Sequence, residues 1–196
     1  ILTACALGLR TRDGGELMDG AAPTGEHRRS QNTRVRIPFG RADHATDRFH
    51  EVRWTLGTRG GGPVDVVFRC YDDAIALRYE LPAPGGKGAP VVIADESTSF
   101  HVDGDPTAYV QYLANYNTSH EHPVETLPLH AVASEKLLDL PLTLSRADGT
   151  WMAITEASLR RYAGMALMRT RPPGGAPAAD PVLTCRLTPR PDGTRV

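Results

Sequence analysis

No stretch of this 196-residue sequence approaches the roughly 20 consecutive apolar residues that a membrane-spanning helix needs. An excess of charge is missing as well: 22 basic residues face 23 acidic ones, for a net charge of −1. That balance gives no electrostatic reason to expect nucleic acid or an anionic membrane as a partner. Local basic clusters, His27-Arg28-Arg29 and Arg34-Val35-Arg36, are short enough to read as solvated surface. Cysteine is scarce. Cys5, Cys70 and Cys185 are odd in number and widely spaced, with no CxxC pair or zinc spacing, which argues against a disulfide framework. Cys70, inside the apolar run VVFRC, reads as a small core residue. No internal repeat and no long amphipathic helix stands out.

Glycine (19) and proline (16) are plentiful and fall between short apolar stretches, the pattern of an all-β protein. A domain of this length buries roughly 70% of its unfolded surface, so a core needs no covalent staples. FHEVRWTLGT from Phe49 alternates as a half-exposed strand does. After the TRGGGP turn, Val64–Tyr71 and Ala74–Leu81 form a strand pair about the short acidic turn Asp72-Asp73. PAPGGKGAP is a predicted loop, VVIA a strand, and DESTSFHVDGD follows. Between Ala108 and Leu144 alternation fades into a His-, Asn-, Tyr- and Pro-rich region, expected to be loops with short strands. Strands are predicted at Leu140–Arg146 and Trp151–Thr155, a helical turn at ASLRRY, and strands at AGMALMRT and VLTCRLTP, with the loop RPPGGAPAADP between these two. Roughly ten short strands with frequent turns predict an antiparallel β-sandwich.

Several clusters invite a chemical reading. His120-Glu121-His122 places two imidazoles on one side of an extended chain, but Pro123 follows and no third ligand is fixed, which favours a polar loop over zinc. Asp103-Gly104-Asp105 lacks the later residues of a calcium loop and reads as a turn. Ser97, Ser99 and Ser119 lie in no activating frame. Asp95 and Glu96 are adjacent and would point to opposite faces of a strand, unlike a glycosidase pair that must face one sugar. Glu156 is set differently: Met152, Ile154 and Glu156 share one strand face by period two. An unpartnered buried carboxylate costs several kcal/mol or takes up a proton. Three solutions stay open: a salt bridge with Arg160 or Arg161, plain exposure, or an oxygen ligand for a hard cation. Calcium takes six to eight oxygens, so in the last case most ligands come from outside this chain.

Taken in order, ALGLRT (Ala6–Thr11), FHEVRWTL, VVFRCYDDAIALRYELP, DESTSFHVDGDPTAYV and PLTLSRADGTWMAITEASLRRYAGMAL resemble the N-terminal domain of glycoside hydrolase family 97. Two departures stand out: Asp73-Ala74 with Leu77-Arg78-Tyr79 where the family has a glycine and Phe-Arg-Tyr, and His120 and His122 beside Glu121. The resemblance implies an antiparallel β-super-sandwich of the galactose-mutarotase type, a single N-terminal domain over residues 1–196, with its first strands preceding this sequence. It implies packing on a catalytic (β/α)8 barrel of the same polypeptide that begins just after Val196 and carries the catalytic carboxylates of an α-glucosidase or α-galactosidase. No catalytic residue is then expected in this chain. The family's His/Thr-Glu-Ala-x-Leu motif, here Thr155-Glu156-Ala157-Ser158-Leu159, implies that Glu156 is a calcium ligand whose site the barrel completes. Carbohydrate is the implied substrate, and a periplasmic or exported bacterial protein the implied setting. Leu2-Thr3-Ala4-Cys5 has the form of a lipoprotein box, a reading that needs a charged segment and an apolar stretch upstream. The competing expectation is a free-standing carbohydrate-binding module, with Trp54, Trp151, Tyr109, Tyr112 and Tyr116 grouped on one concave face.

Overall fold

The computed structural model describes residues 2–58, 62–81, 92–160, 162–170 and 181–190. Parts of the predicted loops TRGGGP, PAPGGKGAP and RPPGGAPAADP lie outside the described residues. The chain is all-β and antiparallel, and its residues form two compact units, Ile1–Glu16 with Val92–Val196 and Leu17–Val91.

The larger unit is a sandwich. Its strands are β1 (Leu2–Ala6) and β2 (Leu9–Thr11), then β7 (Ile93–Glu96), β8 (Ser99–Val102), β9 (Thr107–Val110), β10 (Tyr112–Leu113), β11 (Glu125–Pro128), β12 (Leu137–Leu138), β13 (Leu142–Ser145), β14 (Trp151–Ile154), β15 (Met165–Thr170) and β16 (Val182–Leu187). One sheet runs β1-β8-β16-β15-β12-β10, a second β11-β9-β13-β14, and β2 pairs with β7. Alternation decides which side chains meet. Ala108, Val110, Leu142, Leu144 and Ile154 come inward from the second sheet. Val102, Leu138, Leu167, Leu183 and Cys185 meet them from the first. This is the face-to-face packing of two twisted sheets.

The segment from Ala108 to Leu144 holds short strands joined by loops, as its sequence pattern predicts, and it also feeds the core. It supplies Leu129 and Val132, both fully buried, from a 3-10 turn at Leu129–Ala131 and the residue after it. Its strands are two to four residues long, too short for period two to show.

The smaller unit is a four-stranded meander: β3 (Ala22–Arg36), β4 (His44–Gly57), β5 (Val64–Cys70) and β6 (Ile75–Glu80). The acidic turn is as expected, closed by the Tyr71 N–H donating to the Ala74 carbonyl at 2.8 Å. Strand β3 is a finding that the sequence did not announce. It pairs with β4 from Ala22↔Gly57 to Arg36↔His44, with a shift of register at Gly25. As an edge strand exposed nearly throughout, it carries no apolar alternation. Its arginines, read as solvated clusters, line that edge, where charge discourages pairing with another chain. Arg29 also reaches inward: its guanidinium donates to both oxygens of the buried Glu51 at 2.6 and 2.9 Å, and Arg69 donates to the same carboxylate at 2.6 Å. Both guanidinium groups lie over the Phe49 ring.

Two expectations are corrected. Cys70 is exposed, not a core residue. It ends β5 opposite His50 and Ile75, at an open margin of the sheet where Ile75 is 74% exposed. ASLRRY forms no helical turn across its described residues, because Ser158 sits at a φ of 57°, in the left-handed region.

Candidate metal-ligand site at the β14–β15 connection

Strand β14 leaves its sheet after Ile154, which pairs with Leu142 and packs in the core. The period-two face of Met152 and Ile154 continues to Glu156, so the carboxylate turns toward the protein and is half-buried. The connection then runs irregularly to β15. Its far end is tied by the Thr188 N–H, which donates to the Gly164 carbonyl at 2.8 Å.

Glu156 Oε2 accepts the Met165 N–H at 2.8 Å. Oε1 lies against Gly164, where a Cβ would stand 3.6 Å away, so no side chain covers it from that direction. Burial raises the proton affinity of this carboxylate; the Met165 N–H opposes that rise, and the Glu96 carboxylate adds to it. Of the two salt-bridge partners considered for Glu156, Arg160 is exposed and makes no ion pair with it among the described residues, and Arg161 lies outside them.

Glu96 is the residue that sequence reasoning passed over. Only 8% exposed, it accepts the Tyr162 O–H on Oε2 at 2.8 Å. Burial pushes its proton affinity up, the Thr98 and Tyr162 hydrogen bonds pull it down, and Asp95 raises it again. Asp95 takes other partners: its Oδ1 accepts the Leu187 N–H at 2.9 Å, which ties β7 to β16, and the Glu96 N–H at 3.0 Å. Beside them Cys185 is 1% exposed, its thiol proton held by burial and by Glu96, and its Sγ–H donates to Met165 Sδ at 3.0 Å. No spacing signals this grouping, because it is assembled from β7, the β14–β15 connection, β15 and β16.

A hard cation needs six to eight oxygens. Among the described residues no group of three or more His, Cys, Asp or Glu side chains is arranged to hold a metal. Glu156 nevertheless has the form of a single ligand, one oxygen spent on a backbone N–H that fixes the carboxylate and the other without a cationic partner among the described residues.

The other candidates resolve into local structure. His120 Nδ1 pairs with Asp139 at 2.8 Å, and His122 Nε2 with the Thr118 hydroxyl at 3.1 Å, so the two imidazoles engage different partners. Asp103 pairs with Arg146, Asp105 with His130, and Gly104 takes a φ of 66°, as a turn requires. Ser97 donates to Glu16, Ser99 is buried in β8, and Ser119 is exposed. The five aromatics are divided between the two units. Trp54 belongs to the smaller unit, where its N–H donates to Glu26, and Tyr112 packs against the core. Tyr109 and Trp151 do meet, stacked at 5.4 Å with Trp151 62% exposed.

Comparison with known proteins places this geometry in a family. A probable retaining alpha-galactosidase from Streptomyces bingchenggensis is 29% identical over 171 residues, which are 86% of this chain and 25% of that protein. A retaining alpha-galactosidase from Bacteroides thetaiotaomicron is 28% identical over 176 residues, with 85% and 25% covered. The solved structure of a glycoside hydrolase family 97 enzyme from a Pseudoalteromonas species, in complex with acarbose, superposes with a TM-score of 0.83 at 28% identity over 99% of this chain and 28% of that one. The chain thus spans about a quarter of the length of the curated relatives it matches. The family profile described as "Glycosyl-hydrolase 97 N-terminal" matches residues 1–189, and the chain belongs to that family.

Proposed function

We propose that this chain is the non-catalytic N-terminal domain of a calcium-dependent α-glycosidase acting on α-glucosides or α-galactosides, that it packs on a catalytic (β/α)8 barrel of the same polypeptide, and that it lends Glu156 to a calcium whose remaining ligands the barrel supplies. The observation that carries the calcium reading is the state of Glu156: half-buried, fixed through Oε2 by the Met165 N–H, and without a cation among the described residues. A carboxylate is not left in that condition without cost, and a metal completed from outside the chain relieves it. Calcium bound there supplies positive charge that stabilises developing negative charge and orients neighbouring groups. This chain's own part is to fix one oxygen ligand before the metal arrives. The likeness to retaining alpha-galactosidases, of which the chain matches only a quarter, supports a non-catalytic part within a larger glycosidase. An exported or periplasmic location accords with the family resemblance, and fractionation of the producing cell tests it.

Two measurements test the proposal. The 196-residue chain alone should leave p-nitrophenyl α-glucoside and α-galactoside uncleaved; turnover well above that of its Glu156→Gln variant would refute the non-catalytic assignment. In the full-length protein, Glu156→Gln should weaken calcium binding measured by titration calorimetry. Unchanged affinity would remove Glu156 from the site.

A second reading, a carbohydrate-binding module, is favoured by the Tyr109–Trp151 stack, since exposed aromatic faces take sugar rings. Calorimetry of the chain with maltose and melibiose separates the two. The domain reading expects no heat of binding, and the module reading expects binding that Trp151→Ala abolishes.

A further inference from the structure

Among its described residues the connection between β14 and β15 has no ladder of its own. Residues 155–159 are irregular and Ser158 is left-handed, so the position of Glu156 depends on a few tethers. Two of them, Met165 N–H to Glu156 and Thr188 N–H to the Gly164 carbonyl, act at the end where the connection enters β15. A third reaches from within the connection to a different sheet, the Tyr162 O–H donating to Glu96 Oε2 at 2.8 Å.

We infer that Glu96 and Tyr162 are positioning residues for Glu156, an assignment that deepens the calcium reading above and rests on it for its functional meaning. The anchor is well chosen mechanically. Glu96 ends β7, is 8% exposed, and has its strand locked to β16 by the Asp95–Leu187 bond. Tyr162 is a rigid side chain with two rotatable torsions, and its hydroxyl transmits the position of β7 to the connection three residues before β15 begins. Mutating the partners that orient a ligand typically costs about 10- to 100-fold in metal affinity. A merely structural hydrogen bond would stabilise the fold and leave Glu156 where it is.

The Met165 amide distinguishes these, because its protection from hydrogen exchange comes from the Glu156 carboxylate itself. The experiment uses the full-length protein, with hydrogen exchange of Met165 in calcium-free buffer and calcium titration calorimetry on the same variants. Glu156→Ala sets the exchange rate of a released amide. Tyr162→Phe should move Met165 exchange toward that rate and weaken calcium binding by about 10-fold or more. Glu96→Gln, which keeps an acceptor for the tyrosine hydroxyl, should stay near wild type in both, while Glu96→Ala follows Tyr162→Phe. Tyr162→Phe with wild-type Met165 exchange overturns the positioning assignment. Should Glu156→Gln leave calcium affinity unchanged, the calcium reading fails, and Met165 exchange still decides the clamp.

Discussion

Glu51 offers the sharpest test of the electrostatics. It is 5% exposed and is held by Arg29 and Arg69, whose hydrogen bonds, Arg29's above all, draw its carboxyl from an ordinary 4.5 down to about 2. A lowering of that size corresponds to about 3 kcal/mol of folding free energy near neutral pH. Arg29 and Arg69 keep 42% and 28% of their side-chain surface in water, so screening reduces the expected effect to about 2 kcal/mol. The sign follows from the depressed value. The contribution is fully present above 4.5, where the unfolded carboxyl is also ionised, and it is lost as pH falls toward about 2. Glu51→Gln removes the charge and keeps the shape. Urea unfolding followed by the fluorescence of Trp54, in the same sheet, should show the variant less stable by about 2 kcal/mol at pH 7, with about 1 kcal/mol of that difference gone by pH 3.5. A difference that stays constant over this range, or one below about 0.5 kcal/mol, would refute the claim that the two arginines hold Glu51 ionised.

Other expectations follow from burial. Leu144→Ala, at a fully buried site where the two sheets meet, should cost about 2–5 kcal/mol, read from the urea midpoint. Thiol labelling of the native protein should modify Cys5 and Cys70, both exposed, and spare Cys185 until unfolding, because burial holds its proton. Gly8→Ala should destabilise by about 1–3 kcal/mol in thermal melts, since a Cβ at that position would come within 3.0 Å of the Ser97 backbone.

How much of this fold is legible in the sequence depends on where each strand spends its side chains. β5, β13 and β15 face a core, and their residues announce them: Val64, Val66, Leu142, Leu144 and Leu167 are fully buried or nearly so. β3 faces water over its length, and pairing to β4, by backbone and by polar side chains such as Arg29 on Glu51, makes it a strand without apolar burial. Periodicity measures burial, so an edge strand outside the core leaves no trace of itself. Cys70 shows the same limit from the other side. Its apolar neighbours belong to the strand, but its own position at an open margin is a property of the sheet.

The candidate site divides along the same line. Glu156 is legible because it prolongs the face of Met152 and Ile154, and that local fact fixes which way its carboxylate turns. Glu96 is not, since adjacency to Asp95 made it half of a pair that could not face one substrate. The structure gives the two carboxylates separate partners: Asp95 locks β7 to β16 while Glu96 receives Tyr162 from the connection that carries Glu156. Neighbouring residues at one strand end thus serve a single purpose, with one side chain fixing the anchor and the other holding the tether. Tyr162→Phe should therefore release Glu156, seen as faster Met165 exchange, with the exchange of the Leu187 amide unchanged, because the Leu187 N–H is held by Asp95. Equal loss of protection at both amides would mean that β7 moves as a whole and that the division of labour between Asp95 and Glu96 is wrong.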